Sequence, residues 1–434
     1  MQRHILAVAD TGPAQVVNGS DARPTYERSD NVSDDNEFDD ITEGIRSFLR
    51  SEVVPRQVRL LESGHSEYGS NGRFTDEVLQ AFSEVRMASA QAGFYCILAP
   101  EAVGGAGLGF EALYRVWETV FDFCGANYWL GHQAISHWSR GPSHLYLHVD
   151  EGFREAVLPD LCSGRRTTCF AMSEPDAGSD VWNMRTTASK VDGGWILNGT
   201  KQWSTNAPYA DWAITFAVTD REAFDAHKRG LTGFVVDLKS DGVLVESVIP
   251  MFGHSGGDEG IVSFSNAFVD DRQIIGEPGD GLVHAMSGVS SGRLYNSGRA
   301  VGLARWAVAR AVSYAEERRT FGKPLIENQA IAFPLADAAM DIHAAHLMGL
   351  ETARRLDRGT STRAEVSMTK TYSTEMAVRA IDHAMQVHGA MGFTNEMYLA
   401  QAWQQMRRTC VADGSSEMMR MQIVKSLRQN GVPF

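Results

Sequence analysis

The sequence predicts an α+β multidomain protein: a helical N-terminal domain, a central antiparallel β-domain, and a C-terminal bundle of four or more long helices. Three observations predict it. The chain has 434 residues, too many for one ordinary core. Apolar residues recur at helical spacing over the first third, then give way near Thr167 to short runs punctuated by Gly, Asp and Asn. From about Gly281 the helical period returns and holds to the end.

Taken in order, residues 1–36 read as a flexible acidic arm, since 9–36 are polar and offer little to bury. Asp30, Asp34, Asp35, Glu37, Asp39, Asp40 and Glu43 cluster where the first periodic segment begins, which suits a solvated helix entry. Residues 37–166 are expected to be mainly helical. Ile41, Ile45, Phe48, Leu49 and Val53 mark a first helix that ends at Pro55, and further helices cover 76–92 and 110–123. Residues 167–275 carry short strand runs, among them Thr168–Met172, Gly194–Leu197, Ala213–Val218 and Thr232–Val236. Regular short strands with turn signals suggest a compact antiparallel domain. Residues 276–434 hold a proline-free run from Arg293 to Arg319 with Leu294, Val301, Ala304, Val308 and Val312 on one face. Periodic segments near 327–357, 362–388 and 414–428 complete a bundle.

Composition excludes several function classes. Lys and Arg total 40 against 54 Asp and Glu, a formal charge of -14, so neither a broad nucleic-acid surface nor an anionic membrane face is expected. No apolar run approaches the roughly 20 residues of a membrane span. The five cysteines are odd in number and lack CxxC spacing, which reads as reduced thiols. With no leader pattern and no terminal address signal, a cytoplasmic protein is the expectation.

Several motifs fail on context. Gly104–Gly109 is glycine-dense but does not match GxGxxG and lacks a surrounding βαβ unit. No Walker A or HExxH sequence occurs, and His383 and His388 are spaced to point apart on one helix, so no metal site is expected. Gly253-His254-Ser255-Gly256-Gly257 fits GxSxG, yet a nucleophile elbow needs a helix after the serine, and a further strand run stands there instead.

Two stretches of the β-region suit a planar or phosphorylated ligand. Met172-Ser173-Glu174-Pro175-Asp176-Ala177-Gly178-Ser179-Asp180 offers hydroxyls and amides in a loop. Downstream, Asn198-Gly199-Thr200-Lys201-Gln202-Trp203-Ser204-Thr205-Asn206 reads as a strand on which Trp203 and Thr205 share a side. Taken alone, Trp203 reads more readily as a core residue than as a ligand contact. With Glu317-Arg318-Arg319-Thr320-Phe321-Gly322-Lys323 and Gln386-Val387-His388-Gly389-Ala390-Met391-Gly392-Phe393, these stretches resemble the acyl-CoA dehydrogenase family, in family order.

The resemblance implies a helical N-terminal domain, a central β-domain, a C-terminal four-helix bundle, bound FAD and a homotetramer built as a dimer of dimers. It implies that Phe170, Met172 and Ser173 line the flavin, that Ser179 lies near the FAD pyrophosphate and the CoA chain, and that Trp203 and Thr205 meet the isoalloxazine. Arg318, Phe321 and Gln329 would reach a neighbouring protomer's FAD, with Gln386, Gly389 and Ala390 completing that end; Ser415 and Glu417 would also touch the cofactor. On its own, Arg318 is a solvated helix-end cation. Ala390 stands where the family usually has a second glycine.

Val411-Ala412-Asp413-Gly414-Ser415-Ser416-Glu417 is similar to the family segment that supplies the catalytic carboxylate, with Asp413 in place of the usual Glu. Local sequence gives Asp413 a second reading as a helix N-cap. Arg420 is spaced to pair with Asp413 or with Glu417. The family's alternative base position falls at Gly292 and carries no carboxylate. Arg293 and Gly414 take positions near the substrate; the local alternative for Arg293 is a solvated residue of the helix's first turn. The implied function is FAD-dependent α,β-desaturation of an acyl-CoA, with an electron-transfer flavoprotein as acceptor. A nitroalkane-oxidase-like enzyme, which also uses an aspartate, and a non-catalytic subunit of the same fold are the alternatives.

Overall fold

The computed structural model describes residues 32–64, 66–252, 257–360 and 363–432. The acidic arm therefore falls largely outside the described residues, and helix already begins at Val32. The N-terminal helices are α1 (Val32–Phe48), α2 (Val54–Glu62), α3 (Asp76–Gln91), α4 (Gly109–Cys124) and α5 (Glu151–Cys162). Pro55 does not end the first helix as expected. A π-turn over Leu49–Val53 carries the chain on, and Pro55 sits in the first turn of α2, where its missing N–H costs nothing.

The central region contains β1 (Thr168–Ala171), β2 (Thr187–Val191), β3 (Gly194–Thr205), β4 (Trp212–Val218), a short α6 (Arg221–Asp225), β5 (Leu231–Asp237), β6 (Val243–Val248), β7 (Glu259–Asp270) and β8 (Ile274–Ile275). They form one eight-stranded sheet in the order β6-β7-β3-β2-β4-β5-β8, with β1 beside β4. Most pairings are antiparallel, but β1 runs parallel to β4, with Phe170 opposite Ile214. Gly253–Gly256 of the GxSxG match lie outside the described residues, and the next element is β7, a strand rather than the helix an elbow requires.

Beyond the sheet run α7 (Gly281–Glu317), the small hairpin β9 (Arg319–Thr320) and β10 (Lys323–Pro324), α8 (Gln329–Asp357), α9 (Arg363–His388), α10 (Leu399–Thr409) and α11 (Ser416–Asn430). α10 is not legible in the sequence because its polar residues, Gln401, Gln404, Gln405, Arg407 and Arg408, obscure the apolar face formed by Leu399, Ala402 and Met406. One core joins α1, α3, α4, α7, α8 and α9. α7 and α4 touch backbone to backbone: a Cβ on Gly298 would come within 2.7 Å of the Tyr114 carbonyl oxygen, and one on Gly302 within 2.3 Å of that of Glu118. Buried Glu118 binds Arg305 of α7 and His346 of α8, tying three helices together. His388 is likewise structural, its Nδ1 2.7 Å from the Ala384 carbonyl and its ring stacked on Tyr314.

Candidate active site

The Asp413 loop joins α10 to α11 and is held by backbone contacts from two other helices. Arg293 Nε donates to the Asp413 carbonyl at 2.9 Å, and Lys370 Nζ donates to the Gly414 carbonyl at 2.9 Å. Both loop residues have left-handed backbones, φ 54° at Asp413 and 98° at Gly414. A side chain at 414 would also meet Met419 Cε at 2.7 Å, so the tight turn requires glycine there. Ser415 caps α11, its side chain accepting from the Met418 amide at 3.3 Å. Asp413 is therefore not the cap, and its carboxylate is free for another task.

That carboxylate turns toward α7. Asn296 Nδ2 donates to Asp413 Oδ2 at 2.8 Å. A Cβ built on Gly292 would lie 2.7 Å from the same oxygen and 2.9 Å from Trp138 Nε1. Trp138 in turn packs edge-on against Phe170 at 4.9 Å between ring centroids, so Asp413, Trp138 and Phe170 form a continuous wall. Burial pushes the Asp413 carboxyl up, opposed by Lys370, Arg293 and the Asn296 bond. Burial also brings Lys370 down to about 8. Arg293 is buried rather than solvated and lies well inside α7, so it positions the loop. Arg420 chooses neither of its expected partners; it makes a two-pronged ion pair with Glu375 at 2.7 Å.

The residues expected around the flavin fall into two groups. Phe170, Met172, Ser173 and Thr205 are half-buried at one end of the sheet, with Ser179 exposed in the loop beside them. Trp203 is 51% exposed, which rules out the core reading, and sits at φ 65° in a bulge of the β3–β7 ladder. Ser204 is buried between exposed Trp203 and half-buried Thr205, and the left-handed backbone at Trp203 interrupts the strand alternation that would put those two on one side. A half-bare indole beside a polar loop is a platform that fits a flavin ring. The second group, Arg318, Phe321, Gln329, Gln386, Gly389 and Ala390, is exposed on the bundle. Phe321 is fully bare at the β9–β10 turn. Glu417 lies exposed in the first turn of α11.

Asn296, Lys370, Trp138 and the buried Lys201–Glu174 pair are additions that sequence reasoning does not supply. Asn296 carries a readable signal, since it stands four residues after Gly292 and so shares its helix face. Lys370 and Trp138 come from distant segments and carry none.

Comparison with known proteins decides the family. Residues 169–267 match the acyl-CoA dehydrogenase middle domain and residues 279–428 its C-terminal domain. The chain belongs to the acyl-CoA dehydrogenase family. It is 32% identical over 353 residues to a 3-(aryl)acrylate reductase of Clostridium sporogenes, covering 81% of this chain and 92% of that one. It is 31% identical over 383 residues to an acyl-CoA dehydrogenase of Bacillus subtilis, covering 88% and 96%. Among solved structures, a glutaryl-coenzyme A dehydrogenase in complex with glutaryl-CoA superposes with a TM-score of 0.77 at 26% identity, over 94% of this chain and 98% of that one. Members of this family are flavin oxidoreductases, and this chain is one.

Proposed function

We propose that this protein is an FAD-dependent dehydrogenase that introduces a double bond between Cα and Cβ of an acyl-CoA thioester, with Asp413 as the base. The observation that carries the reading is the Asp413 carboxylate, freed from capping, braced by Asn296 and lifted above the ordinary carboxylate range by burial. A carboxylate in that state is a better proton acceptor than a solvated one and is matched to an acidified α-proton. The shorter Asp reaches as far as it does because the loop is drawn against α7 by Arg293 and because Gly292 leaves room for the carboxylate. FAD, when bound, supplies the acceptor for the β-hydride.

Phe170, Met172, Ser173, Ser179, Trp203, Thr205, Ser415 and Glu417 are the residues of this chain that would hold the cofactor's flavin half. Arg318, Phe321, Gln329, Gln386, Gly389 and Ala390 would serve the other half across an oligomer interface. The complete exposure of Phe321, with Arg318 exposed at the end of α7 beside it, leaves both side chains within reach of a second protomer. An electron-transfer flavoprotein would take the electrons. The deciding experiment is anaerobic flavin bleaching by a panel of acyl-CoAs and by small nitroalkanes. Bleaching by nitroalkanes alone would overturn the reading.

Two further results are expected. Arg318→Ala should lower flavin content and loosen the oligomer together while leaving the thermal unfolding of the flavin-free protein within about 0.5 kcal/mol of wild type, as is usual for an exposed side chain. Flavin titration and light scattering check this; a monomer with full flavin occupancy would contradict it. Asn296→Leu removes a donor that favours the charged carboxylate, so the Asp413 pKa should rise further. The base works deprotonated. Flavin reduction should therefore rise with pH through that pKa, and the variant's acid limb should lie at higher pH than wild type's. An unmoved limb in pH-resolved stopped flow would mean that Asn296 does not touch the working carboxylate.

A further inference from the structure

A cavity of about 700 Å³ lies between the N-terminal helices, the sheet and α10, and Val411 of the loop that carries Asp413 reaches its lining. Four arginines line it, Arg140, Arg299, Arg407 and Arg408, against two carboxylates, Glu67 and Asp258. None of the residues expected to hold the flavin ring, Phe170, Met172, Ser173, Trp203 or Thr205, is among its lining. The cavity is thus cationic, and it adjoins the flavin platform through Asn206, the neighbour of Thr205.

The arginines are not equivalent. Arg408 is paired with Glu259 at 2.9 Å, Arg140 approaches Asp258 at 4.0 Å, and Arg407 is exposed. Arg299 has no carboxylate within 4.0 Å among the described residues. Its Nη2 donates to the neutral Gln405 side chain at 2.9 Å, its guanidinium lies 5.0 Å over the Phe121 ring, and its buried Nε has no partner. Burial weighs against its charge and Arg408 and Arg140 repel it, while Tyr295 and Asp258 offset only part of this. His132 beside it is kept neutral by burial, its pKa down to about 3. A guanidinium cannot shed its proton to escape. A half-buried cation whose Nε is unpartnered is a ready receptor for an anion that enters the cavity.

Its place on α7 says where that anion belongs. At 100° per residue, Asn296 and Arg299 stand about 40° and −20° from Gly292, so all three point to one side of the helix. Arg299 is ~4.5 Å further along the axis than Asn296, which holds the base. Val411, two residues before Asp413, lines the same cavity. An acyl chain whose α-carbon meets Asp413 and which runs along α7 brings its far end to Arg299.

We propose that the acyl group of the substrate ends in a carboxylate and that Arg299 receives it; this rests on the desaturation reading above. The fork of the guanidinium matches a carboxylate with two parallel hydrogen bonds, and Gln405 and the Phe121 face hold that fork in orientation.

The test is anaerobic stopped-flow reduction of the flavin-loaded enzyme by length-matched pairs, adipyl-CoA against hexanoyl-CoA and glutaryl-CoA against valeryl-CoA. Wild type should favour the ω-carboxyacyl member of each pair. In Arg299→Met the ratio of kcat/KM values, adipyl over hexanoyl, should fall about 10²-fold, the size of effect seen when one partner of a buried charge pair is truncated. Arg299→Lys, which keeps the charge without the fork, should fall less. A wild-type preference for the neutral chains, or equal losses on both members of each pair, overturns the inference and leaves the desaturation reading standing. If neither class bleaches the flavin, both fall. Should Arg299→Met fail to hold flavin, the wild-type preference and the Arg299→Lys ratio decide alone.

Discussion

Asp413→Asn is expected to retain FAD and the fold while reducing flavin ~10²–10⁴-fold more slowly, the range typical for loss of a general base. The substitution is close to isosteric, and the contacts that hold the loop do not involve the carboxylate. Arg293 and Lys370 bind the backbone carbonyls of 413 and 414, and Ser415 caps α11. Asn also tolerates the left-handed backbone at φ 54° better than most residues, so the turn should survive. The amide can accept from Asn296 through its oxygen, yet it cannot take a proton. Asp413→Glu is the companion. The longer chain must fold back, because α7 stands in its way: the space at Gly292 is already taken by the aspartate oxygen and Trp138 Nε1. Partial activity is expected. Single-turnover flavin reduction, with flavin content measured on the same sample, separates the outcomes. Wild-type rates in Asp413→Asn would mean that the base lies elsewhere.

How much of this is legible in the sequence depends on the range of the interactions. The three-part layout is readable because helical and strand periods are local, and the ordered motifs make the loop at 413 stand out. The cap at the start of α11 lies two residues beyond the position that local sequence suggests. Asp413 and Ser415 are both good cap residues, and only the tertiary pull of Arg293 and Lys370 on the loop decides between them. Arg420 illustrates the same limit, since helix spacing offers Asp413 and Glu417 while the true partner, Glu375, comes from α9. Pro55 reads as a stop because the π-turn ahead of it is set by packing, with Leu49 and Val53 fully buried. Arg299 and Trp138 are silent for a different reason: a half-buried arginine or a buried tryptophan carries no local mark of its role until the opposing walls are known.

The buried pair Lys201–Glu174 carries the second large effect. Lys201 on β3 is entirely buried, and its Nζ meets Glu174 Oε1 at 2.8 Å and the Met172 carbonyl at 3.2 Å. Burial takes Lys201 down to about 8. Burial alone would raise Glu174, but Lys201 and the amides of Thr186 and Arg185, at 3.0 and 2.6 Å, outweigh it and hold the carboxylate below its ordinary range. The pair thus pins the Met172–Glu174 segment to β3, where the Gln202 amide also donates to the Ser173 carbonyl at 2.8 Å, next to Trp203 in the chain. Lys201→Met keeps the length of the chain but leaves a buried carboxylate without its cation, at a cost of ~3–5 kcal/mol. Thermal unfolding should move down sharply, and flavin content should fall with it. Glu174→Gln added to Lys201→Met removes the stranded charge and should recover part of both losses, giving a coupling energy in a double-mutant cycle. A Lys201→Met variant as stable and as yellow as wild type would mean that the pair neither supports the sheet nor shapes the flavin loop.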